Sequence, residues 1–143
     1  MEGPKKKYKV LIIEDDPLLQ RMYISKLTTE GSYEVDLAGD GSEGLYKVLN
    51  TDPDIVLLDL ILPKVNGFQI LAEMRQNPKT QQILVIIISN LGQAENVTKA
   101  LQLGANDYCV KLNTPPSSLI KKIQALLSQK YKNGCYPPQS VPN

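Results

Sequence analysis

The sequence predicts an α/β fold: a doubly wound sheet of five parallel strands in the order 2-1-3-4-5, with five helices in a three-layer αβα arrangement. Short continuous apolar runs, typical of strands buried on both faces, alternate with segments whose apolar residues recur at helical spacing. This alternation continues along the whole patterned chain, which implies right-handed crossovers between parallel strands. The second strand is acidic, which favours an edge position and therefore the stated order.

The strands follow from the apolar pattern. Residues 10–13, 55–58 and 83–88 are continuous apolar runs and are expected in the interior of the sheet. Residues 33–37 alternate apolar with acidic side chains, as an edge strand with one wet face does. A weaker pattern at residues 107–111 completes the set.

The helices follow from terminal signals and from inward-facing residues. Pro17 opens the first helix, where its missing N–H costs nothing, and Ser42 is expected to cap the second. The fourth runs from about Gln93 to Gly104, a good left-handed terminator, and the fifth starts within residues 115–118. The residues expected to face the sheet are Leu19, Met22, Tyr23 and Leu27 in the first helix, Leu45, Val48 and Leu49 in the second, Phe68, Leu71 and Met74 in the third (residues 67–76), and Leu119, Ile123, Leu126 and Leu127 in the fifth.

The chain of 143 residues is expected to form one domain. A basic N-terminal extension (residues 1–6) is expected before the folded domain (residues 7–129), and a Pro-rich mobile tail (residues 130–143) is expected after it. The formal net charge of +1 supplies no general attraction for nucleic acid or an anionic membrane. No apolar run approaches the ~18 residues of a membrane span. We therefore expect no direct nucleic-acid contact and no membrane partner.

Cysteine and histidine usage excludes several kinds of site. Cys109 and Cys135 have no metal-ligand spacing and form no disulfide framework, so a reduced, cytoplasmic setting is expected. Cys109 lies in an apolar run and is interpreted as a small buried hydrophobic residue. The absence of histidine removes the commonest general base and metal ligand.

Polar residues stand where four of the predicted strands end. The first strand leads into three acids at residues 14–16, the third into Asp59, the fourth into Ser89 and the fifth into Lys111. Because the first and third strands are neighbours, their acids are expected to converge at the carboxyl edge of the sheet. A hard divalent cation such as magnesium relieves the repulsion between packed carboxylates. Carboxylates, a hydroxyl and an ammonium group together suit phosphoryl transfer.

With these residues, the chain resembles a known family, the receiver domain of bacterial two-component response regulators. The similarity lies in four segments: LIIEDDP at residues 11–17, DIVLLDLILPKVNGF at 54–68, IIISN at 86–90 and GANDYCVK at 104–111. It covers roughly residues 7–129. The resemblance implies a flavodoxin-like fold and a phosphoprotein that works in phosphorelay signal transduction.

The resemblance also implies a site built around Asp59, which matches the phospho-accepting aspartate. Asp15 matches the direct metal ligand, and Glu14 the second acid, which in this family often reaches the metal through water. Ile61 matches the residue whose backbone carbonyl binds the ion. The implied cofactor is Mg²⁺ or Mn²⁺, and the implied phosphoryl donor is a sensor histidine kinase or a phosphotransfer protein.

Three further residues carry implied roles. Lys111 matches the lysine that pairs with a phosphoryl oxygen, and Ser89 the hydroxyl that hydrogen-bonds another. Ser89 and Tyr108 match a switch that alters the surface of helix 4, strand 5 and helix 5 for an unknown downstream protein. Such a module is not an enzyme; it promotes only its own phosphorylation and dephosphorylation, as a monomer or a phosphorylation-dependent dimer. Leu112 replaces the proline that usually follows the lysine, so the loop into helix five is expected to be reshaped.

Three alternatives stay open from the sequence. An aspartyl-phosphatase would need a second acid two residues after the nucleophile, where Ile61 stands. A flavodoxin-like cofactor binder would need a loop of N–H donors after strand one, where the acids at residues 14–16 repel a flavin phosphate. A degenerate receiver that serves only for docking fits the altered loop after Lys111. The chain is either a stand-alone regulator or the receiver part of a longer protein.

Overall fold

The structure, a computed structural model, describes residues 7–132 of the chain. Its sheet has five parallel strands in the order β2-β1-β3-β4-β5, which confirms the predicted class and strand order. The strands are β1 (Tyr8–Ile13), β2 (Tyr33–Ala38), β3 (Ile55–Leu58), β4 (Leu84–Ser89) and β5 (Asp107–Val110). The helices are α1 (Pro17–Glu30), α2 (Gly41–Thr51), α3 (Gly67–Gln76), α4 (Ala94–Gln102) and α5 (Pro116–Lys132), with a 3₁₀ turn at Lys111–Asn113.

The core consists of two apolar clusters, one on each face of the sheet. Because successive strand residues point to opposite faces, Val10 and Ile12 pack with α1 and α5, whereas Leu11 and Ile13 pack with α2, α3 and α4. Each of these four side chains is almost fully buried. Burial of one such side chain contributes about 1.5–3 kcal/mol to stability. The two clusters give the three layers that the apolar pattern predicts.

The register between β1 and β3 sets the level of the residues that follow them. Ile13, the last residue of β1, pairs with Leu58, the last residue of β3. Asp59, the residue that follows β3, continues the hydrogen-bond ladder, because its N–H donates to the carbonyl of Ile13 at 3.1 Å. Glu14 and Asp59 therefore leave adjacent strands at the same height.

The start of α2 corrects one expectation. Asp40, not Ser42, is the N-cap: its carboxylate accepts a hydrogen bond from the N–H of Glu43 at 2.8 Å. Asp40 has an extended backbone, with φ −152° and ψ 173°, which an N-cap residue requires. Ser42 lies inside the first helical turn and is exposed. Both residue types cap well, and the backbone conformation decides between them.

Met22 corrects a second expectation, because its side chain does not join the core. It is 40% exposed, while Tyr23 and Leu27 fill the inner face of α1. Met22 instead lines a cleft of about 390 Å³ between α1 and the turn that follows β5. This cleft also borders Lys111 and Leu112.

Helix ends otherwise lie close to their predicted positions. Pro17 opens α1 as expected, with the preceding Asp16 as N-cap. Gly104, which follows α4, has a φ of +109° that suits glycine. The last helix, α5, continues to Lys132, past the domain boundary expected at residue 129. Residues 1–6 and 133–143, which hold the expected extension and the rest of the expected tail, lie outside the described residues. Within the described part of the chain, no helix is long and apolar enough to span a bilayer.

Gly67, the first residue of α3, packs directly on the backbone that carries Asp59. A Cβ atom at this position would lie 2.3 Å from the carbonyl oxygen of Asp59 and 2.7 Å from the Cα atom of Leu60. The N–H of Gly67 also donates to the carbonyl of Leu60 at 2.9 Å. The start of α3 therefore supports the segment after β3, and only glycine permits this approach.

We expect Gly67→Ala to lower the free energy of unfolding by about 1–3 kcal/mol, because the added methyl group meets backbone atoms that cannot rotate away. Urea denaturation measures the change. Gly92→Ala is the matched control: its Cβ would meet only the Val110 side chain, at 3.5 Å or more, an ordinary contact. Equal stability losses in the two variants would contradict the packing argument.

Candidate functional site

Three carboxylates converge at the carboxyl edge of the sheet, as the strand-end pattern predicts. Glu14, Asp15 and Asp59 each offer one oxygen atom, and these atoms all lie within 4.8 Å of one another. Glu14 and Asp59 are only 1% and 4% exposed, whereas Asp15 is exposed. The cluster is thus closed on the protein side and open to solvent at Asp15.

Lys111, which follows the edge strand β5, also reaches this cluster. Its Nζ atom lies 2.8 Å from Oδ2 of Asp59 and 2.9 Å from Oε1 of Glu14. Lys111 stands one residue beyond β5, at the start of the 3₁₀ turn, and Leu112 follows it with an 84% exposed side chain. No cis peptide bond occurs within residues 7–132. The loop therefore differs from the usual lysine–proline pattern, yet the ammonium group still reaches the acids.

Burial and ion pairing act together on these groups. Burial raises the pKa of the Glu14 carboxyl, and the nearby charge of Asp59 raises it further; the ion-pair contact with Lys111 and the N–H of Asp16 partly offset the rise. Burial alone would lower the pKa of Lys111, but its contacts with Asp59 and Glu14 outweigh this and hold the pKa above its ordinary value. Lys111 therefore stays charged at neutral pH. One ammonium group faces three carboxylates, which leaves the site with excess negative charge.

The donor atoms fit a hard divalent cation. Oε1 of Glu14 is buried without an aligned hydrogen bond from any described residue, and its contact with Lys111 is an ion pair only. All the candidate ligand atoms are carboxylate oxygens, which Mg²⁺ and Mn²⁺ prefer. Ile61 stands at the rim of the cluster, where its N–H donates to Oδ1 of Asp59 at 3.2 Å and its side chain is exposed.

Ser89 and Tyr108 meet on the backbone of Leu91. The buried Oγ atom of Ser89 accepts a hydrogen bond from the N–H of Leu91 at 3.1 Å. The hydroxyl group of Tyr108 donates to the carbonyl oxygen of the same residue. Burial raises the pKa of the Tyr108 phenol, and the nearby Ser89 hydroxyl partly offsets this. The two residues predicted as a switch are thus linked through the loop between β4 and α4.

Two contributions to the site were not predicted from the sequence. The side chain of Gln20 donates to the backbone carbonyl of Glu14 at 2.6 Å, and the backbone of Leu91 joins Ser89 to Tyr108. Both involve main-chain atoms, which leave no residue-type signal. Only the position of Gln20 one turn into α1, near the acids, points towards the first contact.

Comparison with known proteins places these features in a family. The sequence model described as "Response regulator receiver domain" matches residues 10–124. The chain is 37% identical over 129 residues to the probable C4-dicarboxylate response regulator DctR of Bacillus subtilis, covering 90% of this chain and 54% of that protein. It is 38% identical over 122 residues to the response regulator ArlR of Staphylococcus saprophyticus, covering 85% and 53%. The chain therefore spans about half the length of these curated relatives.

Solved structures agree. A CheY-like response regulator receiver domain protein from Methanospirillum hungatei superimposes with a TM-score of 0.83 at 29% identity, covering 90% of this chain and all of that one. The receiver domain of a Francisella response regulator gives a TM-score of 0.80 at 27% identity, covering 87% and 99%. The chain belongs to the receiver domain family of response regulators, the signal-transduction modules of two-component systems.

Proposed function

We propose that this receiver domain accepts a phosphoryl group on Asp59 from the phosphohistidine of a partner kinase or phosphotransfer protein. The observation that carries the proposal is the contact of Lys111 with both Asp59 and Glu14 inside a cluster of three carboxylates. A carboxylate oxygen of Asp59 attacks the phosphorus atom, the P–N bond breaks, and an acyl phosphate forms. The released imidazole keeps the electron pair of that bond and takes a proton from solvent.

Glu14, Asp15 and Asp59, with the backbone carbonyl of Ile61, would hold Mg²⁺ or Mn²⁺. When bound, the ion supplies positive charge that stabilises the developing charge on the phosphoryl oxygens. Lys111 supplies a further positive charge and is already in hydrogen-bond contact with Asp59. Burial of Glu14 and Asp59 keeps water away from the protein side of the cluster, which strengthens both interactions.

Ser89 and Tyr108 are proposed to convert phosphorylation into a change of surface. In this proposal, the Ser89 hydroxyl breaks its hydrogen bond with Leu91 and donates to a phosphoryl oxygen. Tyr108 then moves into the space that Ser89 leaves. The equilibrium then shifts towards a different arrangement of α4, β5 and α5. We propose that this surface binds a downstream protein and that the domain acts on no substrate other than its own phosphoryl group. We further propose that residues 7–129 form the folding unit.

The exposed apolar residues around the acids support a protein donor. Leu18, Ile61 and Leu112 are 58%, 60% and 84% exposed, and each stands within three residues of a residue of the charged site. Met22 lines the adjoining cleft. Large exposed side chains close in sequence to the charged residues offer apolar contact area to a protein donor. With a formal net charge of +1, the chain offers no comparable attraction for nucleic acid.

We expect Asp59→Asn to abolish labelling by acetyl phosphate and modification by beryllofluoride, because an amide is a poor nucleophile. Mass spectrometry of the intact protein measures the label. Asp52→Asn is the matched control, since Asp52 is exposed at the end of α2 with a left-handed φ of 55° that asparagine tolerates. Undiminished labelling of the Asp59 variant would remove Asp59 as the acceptor.

We expect slow self-dephosphorylation, because Ile61 and Leu91 are apolar and flank the path of the attacking water in this proposal. Ile61→Asn and Leu91→Glu should each accelerate decay of the acyl phosphate at least about tenfold, since a positioned polar group orients that water. Phosphate release over time gives the rate. Leu101→Glu, at an exposed position on α4, is the control. Unchanged decay in both test variants would reject the explanation.

We expect Leu112→Ser to slow phosphotransfer from the protein donor about tenfold and to leave labelling by acetyl phosphate unchanged. The reason is that Leu112 offers apolar contact area to a protein partner but touches no small donor. Profiling against candidate kinases identifies the donor, and Leu101→Ser is the control for loss of an exposed leucine. If Leu112→Ser slowed phosphotransfer from the protein donor and labelling by acetyl phosphate equally, Leu112 would have to act through Lys111 instead.

A further inference from the structure

Gln20, the fourth residue of α1, makes a contact that the helix itself does not need. Its backbone N–H already donates to the carbonyl of Asp16 at 2.9 Å, as helix geometry requires. Its side-chain Nε2 atom turns back beyond the helix and donates to the backbone carbonyl of Glu14 at 2.6 Å. The contact is partly buried, so water competes weakly for it.

The carbonyl that Gln20 holds belongs to the peptide group between two acids of the cluster. A peptide group is planar, so the carbonyl of Glu14 and the N–H of Asp15 turn as one unit. Fixing this carbonyl therefore fixes the ψ angle of Glu14 and the φ angle of Asp15. These two angles determine the direction in which the Asp15 side chain leaves the backbone.

Asp15 depends on that restraint more than its neighbours do. Glu14 is held by its N–H, which donates to the carbonyl of Ala38 at 3.0 Å, and by its carboxylate, which accepts from the N–H of Asp16 at 3.0 Å. Within residues 7–132, the carboxylate of Asp15 has no hydrogen bond and is exposed to water. Among the described residues, the backbone is therefore the only restraint on the direction of this side chain.

We propose that Gln20 is a positioning residue for the divalent cation. Through the Glu14–Asp15 peptide group it holds the Asp15 carboxylate close enough to those of Glu14 and Asp59 for all three to bind one ion. This inference rests on the cation site of the proposed function. The plainer interpretation is that Gln20 merely satisfies one carbonyl at a helix start and contributes to stability alone. The affinity of the site for a metal ion separates the two interpretations.

The test variant is Gln20→Met, which keeps the length and helix propensity of the side chain but removes the donor. We expect the dissociation constant for Mn²⁺ to rise about tenfold, the lower end of what outer-shell partners of metal ligands contribute. Titration followed by the electron paramagnetic resonance signal of free Mn²⁺ measures this without any phosphoryl transfer. Gln102→Met, at an exposed position at the other end of the sheet, is the matched control and should bind Mn²⁺ as the wild type does.

A second readout separates positioning from damage to the fold. Labelling of the Gln20→Met protein by acetyl phosphate should be slow at low Mg²⁺ and return to the wild-type rate at saturating Mg²⁺, because only ion binding is impaired. A merely structural role would leave the dependence on Mg²⁺ unchanged and shift only the melting temperature. A labelling defect that persists at saturation overturns the proposal.

Asp15→Asn provides the benchmark that keeps two failures apart. If the wild type binds Mn²⁺, Asp15→Asn weakens that binding and Gln20→Met does not, the inference about Gln20 is wrong while the proposed cation site stands. If the wild-type protein binds no Mn²⁺ at all, the cation site and the role of Gln20 fall together. Parallel weakening in the Asp15 and Gln20 variants, with Gln102→Met unaffected, supports the proposal.

Discussion

Two carboxylates buried side by side have to be neutralised, and the carboxyl edge of this sheet is organised around that requirement. Glu14 and Asp59 are almost fully buried, and a buried charge costs several kcal/mol unless a partner compensates it. Lys111 contacts both, and leaving the two acids without it would be strongly destabilising for the same reason. One positive charge is still fewer than the acids present, and this imbalance is what favours the proposed cation site.

The parallel sheet makes this arrangement possible from distant parts of the chain. Lys111 and Asp59 are 52 residues apart in sequence and come together only because β3, β4 and β5 lie side by side. The 3₁₀ turn after β5 brings the ammonium group to the acids without the proline that receiver domains usually have at the position of Leu112. Contact between the ammonium group and the acids thus does not require a proline after Lys111.

Most of the fold could be predicted because burial selects residue type directly. Continuous apolar runs identified the inner strands, and the acidic alternation of β2 identified an edge. The errors arose where residue type leaves a choice: Asp40 and Ser42 both suit an N-cap, and Met22 lies at the border of the inner face of α1. The convergence of the acids was predictable from strand ends. The contact of Gln20 was not, because its acceptor is a backbone carbonyl that any residue would present.

The double attachment of Leu91 has a consequence for the proposed switch. Ser89 holds its N–H and Tyr108 holds its carbonyl. If one side chain departs alone, a partly buried polar group loses its partner at a cost of about 1–3 kcal/mol. If Ser89 and Tyr108 move together, the state with one unpaired polar group is not populated. The proposed switch through the loop between β4 and α4 would therefore respond in an all-or-none way rather than a graded one.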